Sequence, residues 1–245
     1  VDIATIIMSC SLVVLGDSAG SVEPFRNLVD QIISTEDPNS SVVVLGDIFD
    51  ENLNNDIAQL TQISRLEEFF SNSIVVRGNH DPTDIFFENF EELPYTKDIC
   101  ENVSIIAIDS NRHRMRQLTF IKDEIERRPE RNYVVALHHH LEACSTGDIS
   151  PTFWKVALEN TLRPQDLVVH GHSHTNNNYF LSNGTLVLTS ASANRKRYDC
   201  LENTECNCDD SPSLNYLKIE FEDSQWKWDR EFFNPELTPW VHRML

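Results

Sequence analysis

Short apolar runs closed by polar turns recur along the chain, at Ser11–Leu15, Val42–Leu45, Ile74–Val76, Val103–Ile108, Tyr133–Leu137, Leu167–Val169 and Thr185–Thr189. Runs of this kind predict buried strands. Between them lie longer amphipathic stretches, Glu23–Ser34, Asp56–Phe70, Gln117–Arg128 and Thr152–Asn160, which predict helices. In the second, Ile57, Leu60, Ile63 and Leu66 are spaced by three, as one helical face requires, and Pro129 stops the third. Helical spacing disappears in the last region, Leu214–Phe233. There Tyr216, Leu217, Ile219 and Phe221, then Trp226, Trp228 and Phe232, read as two antiparallel strands around the turn Glu222–Gln225. Alternating strands and helices with a β-rich end predict an α/β sandwich of mixed sheets rather than a purely parallel sheet.

The 245 residues suit one domain over residues 1–245 better than two small ones, and no repeat or Pro- or Gly-rich linker divides them. An acidic, Cys-containing stretch at about 200–212 reads as a surface loop inserted before the final strands. With 20 basic and 39 acidic side chains the net charge is −19. Such a surface repels polyanions, which argues against non-specific binding to nucleic acid or anionic membrane. No segment reaches the roughly 20 apolar residues needed to cross a bilayer. The stretch Ile3–Leu15 is broken by Thr5, Ser9, Cys10 and Ser11 and lacks a basic leading region. A first strand is therefore expected in place of a signal peptide, and a cytoplasmic location with it. The six cysteines are scattered, except for Cys200, Cys206 and Cys208. Free thiols in a surface loop are the expected reading of these three. The spacing matches no standard zinc pattern, which favours that reading, and metal binding or pairing in an oxidising compartment stays open.

Five polar clusters each follow an apolar run. They are Gly16-Asp17, Gly46-Asp47-Ile48-Phe49-Asp50, Gly78-Asn79-His80-Asp81, His138-His139-His140 and His170-Gly171-His172-Ser173-His174. The carboxyl ends of strands are where α/β folds bind ligands. Asp, Asn and His together suit ions such as Mn, Fe or Zn. The glycines let the backbone turn sharply and aim the next side chain.

In order and content these clusters resemble the calcineurin-like metallophosphoesterase family, from about Leu12 to Ser192. The resemblance implies a four-layer α-β-β-α sandwich with two mixed sheets, and a metal-dependent hydrolase of small, possibly nucleotide, phosphate esters. It implies two divalent ions and an attacking water. Carried over residue by residue, Asp47 bridges the ions, Asn79, His138 and His172 complete one shell, and Asp17 and His174 hold the other ion. His80 becomes the acid that protonates the leaving group or positions the phosphate, and Asp50 orients it. His138 is preferred to His139 because it directly follows the strand, and Asp81 is expected to cap the Gly78–His80 turn.

The departure is at position 19. The family pattern places a histidine two residues after Asp17, and this chain has Ala19. Three readings stay open: a weakened but usable first ion site, a degenerate member, or an inactivating substitution. The competing function is accordingly a degenerate scaffold that binds metal or a partner protein without turnover. A metal-sensing module using Cys200–Cys208 is a third. The basic runs Arg112–Arg116 and Arg195–Arg197 read first as solvated surface, with contact to substrate phosphate as the alternative.

Overall fold

A computed structural model describes residues 10–18, 22–49, 53–141, 150–174, 176–190 and 215–233. Eleven strands and five helices are assigned among them: β1 Cys10–Leu15, α1 Val22–Thr35, β2 Ser41–Val44, α2 Leu53–Phe69, β3 Asn72–Val75, α3 Thr83–Asn89, β4 Tyr95–Cys100, β5 Val103–Ala107, α4 Arg114–Arg127, β6 Asn132–Leu137, α5 Ser150–Glu159, β7 Leu167–His170, β8 Asn177–Phe180, β9 Leu186–Thr189, β10 Asn215–Glu222 and β11 Gln225–Phe232. Ala19, Asp50, the 200–212 loop and Arg195–Arg197 lie outside the described residues.

The strands form two mixed sheets, ordered β11-β10-β1-β2-β3 and β4-β5-β6-β7-β9-β8. In the first, β1, β2 and β3 run parallel and β10 returns antiparallel to β1. In the second, β5, β6, β7 and β9 run parallel, flanked by antiparallel β4 and β8.

Period-2 alternation sets the layers. Val103, Ile105, Ala107, Val134, Ala136, Leu167, Val169, Leu186 and Leu188 join the core shared with the first sheet. Their neighbours Ile106, Tyr133, Val135, Leu137, Val168 and Val187 pack on Ile121 and Ile125 of α4 and Trp154 and Leu158 of α5. On the other side Phe25, Leu28, Val29 and Ile32 of α1, with Ile63 and Leu66 of α2, cover the first sheet. The order is helix, sheet, sheet, helix, the architecture that the motifs imply.

Two details depart from the sequence reading. Ile57 is 55% exposed. A spacing of three sustained from Ile57 to Leu66 drifts by about half a turn at ~3.6 residues per turn, so its first member rotates out of the buried face. The second departure is a bond between Cys10 and Cys100. It ties the start of β1 in one sheet to the end of β4 in the other.

Candidate metal centre

The site forms where the carboxyl ends of β1, β2, β3, β6 and β7 converge between the sheets. Gly46 and Gly78 let the β2 and β3 loops touch. Gly46 has φ +86°, and a Cβ there would meet the Gly78 Cα at 2.7 Å. Just beyond, Asp47 (φ 49°), His172 (φ 67°) and His174 (φ 53°) all occupy the left-handed region. Non-glycine residues there cost on the order of 1–3 kcal/mol each and persist where the surroundings hold them. All three belong to the ligand set expected from the sequence.

His138 lies at the centre and is fully buried. Its Nδ1 lies 2.7 Å from the Leu45 carbonyl oxygen, to which it donates. In the neutral ring that bond leaves the lone pair on Nε2. Nε2 faces Asn79 Oδ1 at 2.9 Å, His172 Nδ1 at 3.0 Å and Asp47 Oδ1 at 3.6 Å. Asp47, His138 and His172 each offer a ligand atom, all within 4.8 Å of one another. Acceptor atoms converging on one partly buried point suit a cation. Burial opposes charge on His138, but Asp47 and Asp17 outweigh it and raise its pKa, so the pocket favours positive charge.

Asp17, also buried, accepts the His172 N–H on Oδ1 (3.0 Å) and meets His174 Nε2 with Oδ2 (2.5 Å). Burial alone would raise its pKa. The His174 hydrogen bond, the charges of His138 and His174, and the His172 amide outweigh it and hold the carboxyl far below its usual range. His80 is exposed at the mouth, and its backbone N–H donates to Asp47 Oδ1 (3.0 Å). The structure thus brings together Asp17, Asp47, Asn79, His138, His172 and His174, with His80 at their edge.

Asp81 closes the turn. Its Oδ1 accepts the N–H groups of Ile48 (2.7 Å) and Phe49 (3.0 Å), and its Oδ2 that of Gly78 (2.7 Å). Burial and the charge of Asp47 nevertheless push its pKa up to about 6. Asp81→Ala leaves three buried donors without their acceptor, so a loss of about 2–4 kcal/mol is expected. Urea unfolding of the metal-free protein checks this; a loss below 1 kcal/mol would remove Asp81 from the frame of the site.

The sequence reading missed the second ring of residues. His139 Nδ1 lies 2.8 Å from Ser110 Oγ. Burial, followed by the neighbouring His138, His172, His140 and Arg114, pushes the pKa of His139 down to about 2, so its imidazole is neutral. The His140 ring stacks on His172 at 5.1 Å. Arg77, Asp109 and Asn111 lie behind the Gly78–His80 turn. The available signal was position: Asp109 follows a strand run, as the recognised clusters do. Arg112 donates to Thr83 Oγ1 at the start of α3.

The chain resembles several solved structures, each too distant in sequence to show more than a common fold. A purple acid phosphatase (PPD1) from yellow lupin superposes with TM-score 0.62 at 15% identity, over 91% of this chain and 51% of the lupin chain. This chain therefore spans about half the length of that protein. GAP50, described as the anchor in the inner membrane complex of Plasmodium, gives 0.63 at 13% identity over 93% and 85%. A dimetal phosphatase from Danio rerio gives 0.59 at 13% identity over 92% and 99%. No curated protein matches the sequence. The family model of calcineurin-like phosphoesterases matches residues 11–176, a span that begins in β1, ends just after His174 and contains every residue of the converging set. With more than half of its length matched, the chain belongs to the calcineurin-like phosphoesterase family.

Proposed function

We propose that this chain is a metal-dependent hydrolase of small phosphate esters. One observation carries the reading: His138 Nε2, Asn79 Oδ1, His172 Nδ1 and Asp47 Oδ1 converge on one point, with His138 and Asp47 buried and Asn79 exposed. The donor set of carboxylate, amide and imidazole fits Mn, Fe or Zn. Asp47, Asn79, His138 and His172 would hold one ion, and Asp17 and His174, sharing Asp47, a second. Bound divalent ions supply Lewis acidity to the phosphoryl group and lower the pKa of water towards neutrality. The chain's own residues do the rest. Leu45 fixes the tautomer of His138. The peptide of His80 hydrogen-bonds Asp47, which holds the imidazole at the exposed mouth, where it can give a proton to a leaving oxygen. The charge of −19 favours small substrates over polyanions. A 5'-nucleotidase precursor from Thermus thermophilus shares the fold, with TM-score 0.58 at 14% identity, which supports nucleotides as candidates.

A second reading, a scaffold without turnover, is favoured by Ala19 and by the likeness to GAP50, an anchor by description. The test is hydrolysis of bis(p-nitrophenyl) phosphate and p-nitrophenyl phosphate with Mn²⁺, Fe²⁺, Zn²⁺, Mg²⁺ or Ca²⁺. The protein, its Ala19→His variant and its Asn79→Ala variant are compared. Metal-dependent turnover that Asn79→Ala lowers, and that Ala19→His maintains or raises, is expected. Metal uptake with no hydrolysis by any of the three would establish the scaffold. As to compartment, the Cys10–Cys100 bond supports an oxidising one over the cytoplasm that the sequence alone suggested.

A further inference from the structure

The Gly78–His80 turn carries two of the expected functional side chains, yet Asn79 and His80 are both exposed. Burial does not hold them, and Asn79 meets His138 only through Oδ1, so the backbone on either side contributes to their placement. Behind that backbone lies the loop joining β5 to α4. Asn111 Nδ2 donates to the carbonyls of Arg77 (3.1 Å) and Gly78 (3.2 Å), which immediately precede Asn79. The same amide reaches Asp109 Oδ1 at 3.0 Å, and the Asn111 backbone N–H donates to that oxygen at 2.9 Å. Asp109 Oδ2 lies 3.4 Å from Arg77 Nη1, and Arg77 Nε donates to the Asp81 carbonyl (3.0 Å), just past His80. Asp109 is held in turn, since its N–H donates to Gln117 Oε1 at 3.1 Å. The turn is therefore gripped at carbonyls on both sides of Asn79-His80, and Asp109 joins the two grips.

We propose that Asn111 is a positioning residue of the metal centre: it touches no reacting group, but fixes the peptide that presents Asn79 to the ion and His80 to the substrate. This rests on the phosphoesterase reading for its purpose, though not for its geometry. The side-chain chemistry is specific. A carboxamide donates to two carbonyls while reaching a carboxylate; Asp has the same shape but no N–H and would repel Asp109. Outer partners of metal ligands typically contribute about 10–100-fold in metal affinity or activity.

A matched control exists at the opposite end of the fold. Asn183 Nδ2 also donates to two carbonyls, of Glu159 (3.0 Å) and Leu162 (2.9 Å), in a turn far from the site. Mn²⁺ binding by calorimetry and amide hydrogen exchange at His80 in metal-free protein are measured on the wild type, Asn111→Ala, Asn111→Asp and Asn183→Ala. The His80 N–H is bonded to Asp47, so its exchange reports the turn without any metal. Both Asn111 variants are expected to lose about 10–100-fold in Mn²⁺ affinity and to exchange the His80 amide faster. Asn183→Ala is expected to keep both within about twofold, whatever it costs in thermal stability. Unchanged His80 exchange in both Asn111 variants overturns the proposal, and so does an equal loss of metal affinity in Asn183→Ala. A wild type that takes up no Mn²⁺ would count against the phosphoesterase reading, while the exchange comparison would still decide the role of Asn111.

Discussion

Asp47→Ala is expected to lower kcat/KM for bis(p-nitrophenyl) phosphate by about 10³-fold or more, or ~4 kcal/mol of transition-state stabilisation. Its side chain and its backbone both bind the site together. Its Oδ1 faces His138 Nε2 at 3.6 Å and accepts the His80 N–H at 3.0 Å, and its own carbonyl accepts the Ser18 N–H (3.1 Å) beside Asp17. On the proposed reading, removing the carboxylate would take a ligand from either ion position, and it would release the peptide that carries His80. The residual rate should equal that of the wild type stripped by chelator, because both have lost the same centre. Stability should behave differently. Asp47 is buried near Asp81, whose pKa its charge helps to raise. In metal-free protein its removal relieves repulsion with Asp81 but ends its attraction for His138 and its bond to the His80 N–H, so thermal unfolding in chelator should fall far less than activity does. Retention of more than about a tenth of wild-type kcat/KM would contradict a role at the centre, given that single electrostatic groups in active sites typically contribute ~10²–10³-fold.

The fold was legible in the sequence wherever burial was two-sided. Strands β1, β2, β6, β7 and β9 are buried along most of their length, and continuous apolar runs mark such strands. What escaped was the periphery. β4, Tyr95-Thr96-Lys97-Asp98-Ile99-Cys100, is an edge strand without a fully buried residue, and its polar side chains hide its extended backbone. β8 is the opposite edge, four residues long with two asparagines and an exposed Phe180. Helix α3 spans only seven residues, too few to show a period.

The site divides in the same way. Its ligand candidates were legible because each follows a strand and carries a glycine or a paired histidine nearby. Asp109 shows only its position after a strand run, and Asn111 and Ser110 show no signal, since their hydrogen bonds reach loops more than 25 positions away, a matter of sheet order that no local pattern encodes. The same holds for Cys10 and Cys100. They are 90 positions apart, and pairing requires Cα atoms within about 7 Å. Only the stacking of one sheet on the other's edge brings them to 5.9 Å.

That bond leads to the second large expected effect. Closing a loop of about 90 residues limits the unfolded chain by roughly 4–5 kcal/mol in the loop-entropy account. The double variant Cys10→Ser/Cys100→Ser should therefore unfold about 10–15 °C below the wild type, at ~2–4 °C per kcal/mol for a chain of this size. The comparison of single and double variants identifies the cause. If the effect is the cross-link, Cys10→Ser, Cys100→Ser and the double variant should be destabilised alike, a strongly non-additive result. If it were packing, Cys10, which is buried, would account for the loss and Cys100, which is half-buried, for little of it. A shift of the double variant under about 3 °C, or two titratable thiols at these positions in the native air-oxidised protein, would sink the assignment. Activity supplies the contrast. Cys10 begins β1 and Asp17 lies just past its other end, so the bond and the metal centre sit at opposite ends of the same strand. Below its lowered melting temperature the double variant should hydrolyse phosphate esters at close to the wild-type rate, because nothing in the grip on Asn79, His80 and His138 depends on the bond.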